Sequence, residues 1–210
     1  MIDPLHNPDE ETLDEASIDR DPITLFDRWF KDAQTANLLL PEAMTLATVN
    51  SDGRPTARMV LLKQVDHDGF VFFTNYSSSK ASQLDENDAA ALVFHWAPVE
   101  RQVRVEGRVV KTSADESRAY FQTRPRESQI GAWASPQSEV IESRSILEQR
   151  KAQLEEKYRD RPIDCPPNWG GYRLIPDRIE FWKGRIGRLH DRILYSRTAE
   201  GGWTIQRLAP

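Results

Sequence analysis

Residues 44–53 read Met-Thr-Leu-Ala-Thr-Val-Asn-Ser-Asp-Gly, and this stretch predicts the first hairpin of a β-sheet. Its apolar side chains recur with a period of two, which is typical of a strand, and Ser-Asp-Gly is typical of a tight turn. A second strand is predicted at residues 56–65, and a turn at 66–69 leads into a third strand at 70–75. The pattern therefore predicts consecutive antiparallel strands joined by short turns.

The same periodicity returns further along the chain. More strands are predicted at residues 89–96, 101–112, 171–182, 192–197 and 203–208. Helices are predicted at residues 22–37 after an Asp-Pro start, at 77–87, from the capping box at 113–116 through residue 121, and at 138–160. We therefore expect an α+β fold, a mainly antiparallel β-barrel that is closed or nearly closed, with flanking helices.

The composition is that of one soluble domain, with 210 residues of which 39% are hydrophobic and 29% charged. No apolar run approaches the length of a membrane span and no leader opens the chain, so we expect no membrane association. The single Cys165 suits a reducing cytoplasm, which is the expected location. The four histidines lack ligand spacing and cysteines do not cluster, so no metal site is expected.

Negative charge is concentrated at the N-terminus. Residues 1–21 hold eight acidic side chains and one arginine in a chain of net charge −5, so the remainder is mildly basic. Residues 1–20 are predicted to be a disordered or loosely docked acidic tail, and residues 21–210 a single domain. A mildly basic body with local arginine clusters suits small phosphate-bearing ligands and is too weakly charged for nucleic acid.

The segment 181–192 places four cations, one imidazole and one indole within twelve residues. If residues 188–192 are extended, then Arg188, His190 and Arg192 share one face, because side chains alternate along a strand. Three donors on one face would form a fork-shaped site for an anion or a polar heteroaromatic ring. The alternative is a solvated strand with an unpaired histidine.

Two further clusters are suited to phosphate. Arg58 and Lys63 bracket an apolar strand, but their odd spacing lets one ligand meet both only at a bulge or a strand end; they are otherwise two edge cations. Hydroxyls and Lys80 follow the strand at 70–75 where a helix begins, which gives a phosphate cradle or simply a capped turn.

A third cluster recurs every four residues, at Tyr120, Arg124 and Ser128, although Pro125 rules out one regular helix through all three. An amide and a hydroxyl, Gln137 and Ser138, stand at the entry to the long predicted helix, where a helix cap is the ordinary interpretation. No nucleophile elbow, readable carboxylate pair or dinucleotide fingerprint is present, so acyl transfer, glycoside hydrolysis and NAD chemistry have no support. The clusters suggest two phosphorylated ligands, and they leave the identity of a cofactor open.

Several blocks of this sequence occur together in one known family. From residue 21 to residue 210 the chain resembles the pyridoxine/pyridoxamine 5′-phosphate oxidases. The blocks are Arg58-Met-Val-Leu-Leu-Lys63, Glu100-Arg-Gln-Val-Arg104, Tyr120-Phe121, Arg124-Pro-Arg-Glu-Ser-Gln-Ile-Gly-Ala-Trp133, Gln137-Ser138, Phe181-Trp182, Arg188-Leu-His-Asp-Arg192 and Arg207-Leu-Ala-Pro210. The resemblance implies a split barrel that forms a homodimer and binds FMN at the subunit interface. It also implies oxidation of pyridoxine or pyridoxamine 5′-phosphate to pyridoxal 5′-phosphate, with O2 reduced to H2O2.

The resemblance assigns roles to matched positions. Residues implied to bind FMN are Arg58, Met59, Val60, Leu61, Leu62, Lys63, Phe73, Thr74, Ser79, Lys80, Gln102, Gln137, Ser138, Trp182 and Arg192. Residues implied to bind the substrate phosphate are Lys63, Tyr120, Arg124 and Ser128. Arg188 and His190 are implied to be catalytic, contacting the pyridine ring over the flavin. On this reading Arg188→Ala is expected to lower turnover far more than Arg185→Ala.

The chain departs from the family pattern at three points. No tyrosine precedes Tyr76, so an N-terminal Arg-x-x-Tyr lid is absent or built differently. Ser79 stands where an arginine commonly precedes the lysine, and Phe73 stands where tyrosine is frequent. These positions bear on FMN affinity and on closure over the substrate.

Two other functions are weighed against this one. A related split-barrel flavin oxidase acting on another ring, such as those of phenazine biosynthesis, would not need the phosphate-binding trio at Tyr120, Arg124 and Ser128. A non-catalytic carrier of FMN or pyridoxal phosphate would not need Arg188 and His190.

Overall fold

The structure is a computed structural model that describes residues 12–36 and 38–210. These residues form five α-helices: α1 (Pro22–Thr35), α2 (Ser79–Glu86), α3 (Ala114–Thr123), α4 (Arg126–Ala134) and α5 (Arg144–Lys157). They also form nine strands: β1 (Ala43–Val49), β2 (Pro55–Leu61), β3 (Gln64–Asp66), β4 (Gly69–Asn75), β5 (Ala89–Trp96), β6 (Arg101–Lys111), β7 (Trp169–Lys183), β8 (Asp191–Arg197) and β9 (Trp203–Arg207).

The strands form one antiparallel sheet in the order β2-β1-β5-β6-β7-β4-β3, with β8 and β9 continuing from β7. The two outer strands of this path, β2 and β3, are consecutive in the chain and meet at the dipeptide Leu62-Lys63. There the Leu62 amide donates to the Glu42 carbonyl at 2.9 Å, and the Lys63 amide donates to the Val71 carbonyl at 2.8 Å. The sheet therefore curls almost onto itself, which confirms the predicted α+β fold with a nearly closed antiparallel barrel.

Strand β7 connects the two halves of the sheet. Along one edge it pairs with β6, and along the other edge its first residues pair with β4 and its last residues with β8. Trp169 and Trp182 lie near its opposite ends, roughly 40 Å apart along the strand at about 3.3 Å per residue. Side chains at the two ends therefore face separate parts of the molecule.

Helix α1 packs one face against the barrel core. Its N-cap Asp21 accepts from the Ile23 amide at 3.0 Å, and Phe26 and Trp29 are fully buried. The ring of Phe26 contacts those of Phe70 and Phe94, each at 5.0 Å between centroids. Burial of such aromatic side chains is the dominant stabilising contribution in a core of this kind.

A second, smaller core lies under helices α3 and α4 and the segment that leads into β7. Its buried residues are Phe121, Ile130, Tyr158, Ile163 and Trp169. This core fixes the helical layer against the barrel at one end of β7.

Two predicted elements are corrected by the structure. The strand predicted at 56–65 is interrupted at residues 62–63, where the chain passes from β2 to β3. The helix predicted at 138–160 is shorter, because Ser138 has a positive φ of 74° and α5 begins only at residue 144. A left-handed residue is incompatible with a helix start at that point.

Part of the predicted acidic tail is packed on the sheet. Residues 1–11 lie outside the described residues, whereas Leu13 and Ile18 are only 3% and 8% exposed. The Tyr195 hydroxyl on β8 donates to the Asp19 carbonyl at 2.6 Å. Residues 12–20 thus contact the C-terminal strands, and the division of the chain at residue 20 stays a prediction.

No helix within residues 12–36 and 38–210 is both long and apolar enough to cross a membrane. In the same part of the chain, no three histidine, cysteine or carboxylate side chains are grouped so as to hold a metal ion.

Candidate active site

A cavity of about 460 Å³ opens where β2 and β4 end beneath helices α3 and α4. Eleven of the predicted site residues line it: Met59, Val60, Leu61, Lys63, Phe73, Thr74, Lys80, Tyr120, Arg124, Ser128 and Gln137. These residues come from four separate parts of the sequence. The fold therefore brings Lys63, Lys80 and the trio of Tyr120, Arg124 and Ser128 to one cavity.

Lys80, in the first turn of α2, is held by neutral oxygens. Its Nζ donates to Thr74 Oγ1 at 3.1 Å, to Ser78 Oγ at 3.0 Å and to Gln137 Oε1 at 2.9 Å. Burial, together with repulsion from Arg58, lowers the pKa of Lys80 to about 8. A partly desolvated ammonium held in this way is prepared to bind an anion.

Arg58 lies behind this cluster and does not line the cavity. Its Nη1 donates to Thr48 Oγ1 at 2.6 Å and its Nη2 to Thr56 Oγ1 at 2.5 Å, while Gln83 Oε1 accepts from both hydroxyls and from Nη2. Desolvation lowers the pKa of Arg58. Among the residues that the structure describes, no carboxylate forms an ion pair with Arg58 or Lys80.

The predicted trio of Tyr120, Arg124 and Ser128 is assembled across a break between two helices. Helix α3 ends at residue 123 and α4 begins at residue 126, with Arg124 and Pro125 extended between them. All three side chains nevertheless line the cavity. The proline therefore redirects the chain without separating the phenol, the guanidinium and the hydroxyl.

Arg124 has a buried donor that the described residues leave without a hydrogen bond. Its guanidinium lies 4.7 Å from the ring centroid of Trp169, and its buried Nη1 has no hydrogen-bond partner within the described residues. Desolvation lowers the pKa of Arg124. Because a buried donor left without a partner costs about 1–3 kcal/mol, the arrangement suits an anion that supplies the missing acceptor.

Phe73, one of the departures from the family pattern, has a packing role here. Its ring stacks on Tyr120 at 4.0 Å and on Trp169 at 5.4 Å between centroids. A Cβ added at Gly171 would lie 2.8 Å from the Phe73 ring, so the glycine allows this close approach. The stack holds the phenol of Tyr120 at the cavity wall.

A second group of predicted residues lies at the other end of β7. Trp182 is paired with Gln102 on β6 and with Arg192 on β8, and the His190 ring lies 4.7 Å from the Trp182 ring. Arg192 Nε donates to the buried Glu180 Oε1 at 2.8 Å, which raises the pKa of Arg192. None of these residues lines the cavity of the same chain.

The extended course on which a shared face of Arg188, His190 and Arg192 depended is not found at its first residue. Residues 186–188 form a short 3-10 turn in which Gly187 and Arg188 both have left-handed backbones, with φ of 74° and 64°. Strand β8 begins only at Asp191. The alternation expected of a strand therefore does not apply, and Arg188 lies exposed on the turn.

Arg185→Ala was expected to lower turnover much less than Arg188→Ala, but the contacts of Arg185 argue against its use as a control. Its side chain is 10% exposed, and its Nε and Nη2 both lie 2.7 Å from Asp191 Oδ2. Its backbone amide donates to His190 Nδ1 at 3.0 Å. Arg185→Ala would therefore disturb the segment that carries His190 and is a poor control for Arg188→Ala.

Three further positions lie away from the cavity wall. Leu62 points into the barrel core, whereas Ser79 and Ser138 line a separate surface depression of about 430 Å³. Conversely, Asn75, Gly131, Ala132, Ser135 and Trp169 line the cavity without having been predicted. Trp169 is followed by Gly170 and Gly171, where a Cβ would lie 2.2 Å from Tyr76 and 2.5 Å from Thr112, but this packing gives no sequence signal that Trp169 lines the cavity.

Comparison with known proteins gives a consistent answer. The profile of the family described as pyridoxamine 5′-phosphate oxidase matches residues 30–158. The profile described as the pyridoxine 5′-phosphate oxidase C-terminal dimerisation region matches residues 169–210.

A pyridoxine/pyridoxamine 5′-phosphate oxidase of Burkholderia orbicola is 59% identical over 206 residues, covering 97% of this chain and 96% of the relative. The enzyme of the same name from Paraburkholderia phytofirmans is 59% identical over 200 residues, covering 95% of this chain and 93% of the relative.

Among solved structures, PhzG from Burkholderia lata in complex with tetrahydrophenazine-1-carboxylic acid superposes with a TM-score of 0.90 at 30% identity, covering 96% of this chain and 98% of that one. An FMN-binding protein of Nostoc punctiforme related to pyridoxamine 5′-phosphate oxidase shares the fold, with a TM-score of 0.72 at 21% identity and coverage of 92% and 100%. From the profile matches and the curated relatives together, the chain belongs to the pyridoxamine 5′-phosphate oxidase family.

Proposed function

We propose that the chain is an FMN-dependent oxidase that converts pyridoxine or pyridoxamine 5′-phosphate to pyridoxal 5′-phosphate, with O2 reduced to H2O2. The observation that carries the proposal is the buried Nη1 of Arg124, which has no protein acceptor within the described residues and shares a cavity with Tyr120 and Ser128. A guanidinium, a phenol and a hydroxyl suit the terminal oxygens of a phosphate monoester.

The cavity also fits FMN. Lys80 and Arg58 bring two positive charges together among hydroxyl and amide groups, which suits a phosphate dianion. Met59 and Leu61, on the outer edge of β2, are 62% and 36% exposed and offer apolar surface to a flat ring system. FMN bound there would accept the hydride equivalents of the substrate and pass them to O2.

The complete site requires two copies of the chain. The cavity lies at one end of β7, whereas Gln102, Trp182, His190 and Arg192 lie at the other. We place FMN at the interface of a homodimer, with the cavity from one protomer and the second group from its partner. The match of residues 169–210 to a dimerisation region supports this arrangement.

Within such a site the roles of the residues follow from their chemistry. Lys63, Tyr120, Arg124 and Ser128 bind the substrate phosphate, which fixes the distance of the ring from the flavin. Arg188 and His190 contact the ring and orient its reactive carbon. The aromatic stack of Phe73, Tyr120 and Trp169 keeps water from one wall of the cavity. The single cysteine remains in line with a cytoplasmic location.

A phenazine-type oxidase is the second candidate. The observation that favours it is the superposition on PhzG, whose ligand is a carboxylic acid that an arginine such as Arg124 could also bind. Against it, the named phosphate oxidases are about twice as similar in sequence, at 59% against 30% identity.

The test is an anaerobic titration of the purified, FMN-loaded protein. With pyridoxine 5′-phosphate, the flavin absorbance is expected to bleach and to return on admission of air, with pyridoxal 5′-phosphate and H2O2 formed in equal amounts. Unphosphorylated pyridoxine is the control and should bleach the flavin far more slowly.

Three other outcomes of this titration would favour a different function. Bleaching by tetrahydrophenazine-1-carboxylic acid, and not by the phosphate ester, would favour the phenazine-type reaction. A yellow protein bleached by neither would favour a carrier. A protein that cannot be loaded with FMN would limit the assignment to the fold.

A further inference from the structure

The segment between β7 and β8 is closed by an ion pair at its base. Arg185 and Asp191 flank the turn that carries Arg188 and His190, and the Arg185 guanidinium binds Asp191 Oδ2 through Nε and Nη2, both at 2.7 Å. The two side chains are only 10% and 15% exposed. Such a pair, shielded from solvent and from salt, constrains the backbone on both sides of the turn.

Asp191 is held from a second direction as well. Its other oxygen, Oδ1, accepts from Arg207 Nη1 at 2.8 Å, and its Oδ2 also accepts from the Leu13 amide at 3.4 Å. Burial alone would raise the pKa of Asp191, but the hydrogen bonds from Arg185 and Arg207 hold it below its ordinary value. The carboxylate therefore remains charged at neutral pH and keeps both arginines in place.

The backbone amide of Arg185, at the base of the turn, determines which nitrogen of His190 carries the proton. The Arg185 backbone amide donates to His190 Nδ1 at 3.0 Å, and a backbone N–H can only donate. Nδ1 must therefore present its lone pair, so that the neutral imidazole carries its proton on Nε2. Protonation of Nδ1 would set two N–H groups against each other.

The ring is fixed in orientation at the same time. One face of His190 packs on Trp182 at 4.7 Å between centroids, and its Nδ1 edge is occupied by the Arg185 amide. Within the part of the chain that the structure describes, Nε2 has no hydrogen-bond partner, so the Nε2–H edge is left for a ligand. An N–H donor in that position matches an acceptor atom, such as a phenolate oxygen, on a heteroaromatic substrate.

We propose that Arg185 and Asp191 are positioning residues that hold His190 as a neutral Nε2–H donor to the substrate ring. The inference rests on the proposed oxidase function for its kinetic consequences, but the tautomer itself can be measured in the absence of turnover. In this assignment His190 acts as a hydrogen-bond donor, and it does not remove a proton through Nδ1.

The first measurement is long-range ¹H–¹⁵N correlation spectroscopy of FMN-loaded protein labelled at histidine, with His190 assigned by comparison with His190→Gln. The wild-type ring is expected to show an acceptor-type Nδ1 and a protonated Nε2. In Asp191→Asn and Arg185→Gln, the chemical shifts of the two ring nitrogens should move towards averaged values. The reason is that the Arg185–Asp191 ion pair, which holds the Arg185 amide against Nδ1, is weakened.

The control is Asp66→Asn. Asp66 is a partly buried carboxylate, 33% exposed against 15% for Asp191, and it binds a well-buried arginine, Arg173, on a different part of the sheet from His190. Its loss should lower thermal stability in the same way while leaving the His190 tautomer and kcat at wild-type values. Arg185→Lys retains the charge and should rescue part of the effect of Arg185→Gln.

The kinetic readout is a split between kcat and KM. In Asp191→Asn, kcat is expected to fall roughly tenfold or more, since a misplaced group near the reacting atoms has effects of this order, while FMN affinity and KM for the phosphate ester change little. A wild-type His190 protonated on Nδ1 would overturn the inference. So would an unchanged tautomer in both Asp191→Asn and Arg185→Gln. If the tautomer shifts as expected but the wild type oxidises no phosphate ester, the positioning holds and the proposed function fails.

Discussion

The cavity and the C-terminal strands both hold partly desolvated cations, but the neighbours of those cations differ. Lys80 and Arg124 in the cavity contact hydroxyls, an amide and aromatic rings, and no carboxylate forms an ion pair with them in the described part of the chain. Arg185 and Arg192 on the C-terminal side each bind a carboxylate that is largely buried. Similar side chains are thus placed in two electrostatic settings within one sheet.

The difference separates binding from positioning. A desolvated cation without a protein anion costs stability in the free protein, and it recovers that cost when an anionic ligand arrives. A cation already paired with a carboxylate gains little from a further anion, but it fixes the backbone around it. We therefore expect substitutions in the cavity to change affinity and substitutions at the C-terminal strands to change geometry and stability.

The largest expected effect is that of Arg124→Gln. Loss of a charged donor to the substrate phosphate is expected to lower kcat/KM roughly 100-fold, since such a bond contributes up to about 3 kcal/mol. The melting temperature of the ligand-free protein should stay the same or rise, because a buried, incompletely hydrogen-bonded cation is removed. Steady-state kinetics and calorimetry measure the two.

Arg126→Gln is the control for that substitution. Arg126 donates to the carbonyls of Tyr158 and Arg161 and does not line the cavity. It should lower stability slightly and leave kcat/KM unchanged. A loss of kcat/KM in Arg126→Gln equal to that in Arg124→Gln would remove the distinction between the two arginines.

Glu180→Gln tests the C-terminal strands, where arginines are paired with buried carboxylates. Glu180 is 5% exposed and binds Arg192 at 2.8 Å and Arg104 at 3.5 Å, so its neutralisation leaves two cations without this partner. We expect a loss of about 2 kcal/mol in the free energy of unfolding, less than for a fully buried pair because both arginines keep some solvent contact. Chemical denaturation measures it, with the more exposed Glu106→Gln as control. Equal, small losses for both variants would show that burial of Glu180 does not matter.

The pH dependence of cofactor binding follows from Lys80. Its pKa of about 8 lies below the ordinary 10.5, so the unliganded side chain loses its proton as the pH rises through 8. A phosphate dianion favours the charged form, and FMN affinity is therefore expected to fall steadily above about pH 8. Fluorescence titration of FMN at several pH values measures this fall, and Lys80→Gln should flatten the curve. An equally steep curve in Lys80→Gln would assign the titration to another group.

The smallest expected effect is a gain in FMN affinity. Ser79 is exposed beside Lys80, where the family commonly has an arginine. Ser79→Arg should tighten FMN binding about two- to fivefold, the range of an exposed ion pair, and the gain should vanish at high salt. Ser79→Gln, which lengthens the side chain without charge, should leave the dissociation constant at the wild-type value. A gain that persists in high salt would require another explanation.

Local patterns predicted most of the secondary structure. The strand at 89–96 and the capping box at Ser113 are found where the sequence placed them. They follow from side-chain periodicity and short-range hydrogen bonds, which act within a few residues. The same patterns missed the break at residues 62–63 and the left-handed backbone of Ser138, because both depend on how distant strands and loops meet.

The candidate site was predicted in parts. The cavity residues from Met59 to Gln137 were identified through their resemblance to a family, and the spacing of Tyr120, Arg124 and Ser128 already suggested one ligand. The sequence pattern did not predict the turn at Gly187 and Arg188, which replaces an expected strand. It also did not predict the ion pair between Arg185 and Asp191. A salt bridge across a turn leaves no periodic trace in the sequence.

The sequence by itself determined the barrel, most of its helices and the chemical types at the site, because these depend on burial and on local backbone preference. Only the tertiary structure decided which cations are paired and which are free of carboxylates within the described residues. It also decided that the two groups of site residues lie at opposite ends of β7, beyond the reach of one ligand in one chain. Electrostatic pairing and distance depend on the path of the whole sheet, which no single segment encodes.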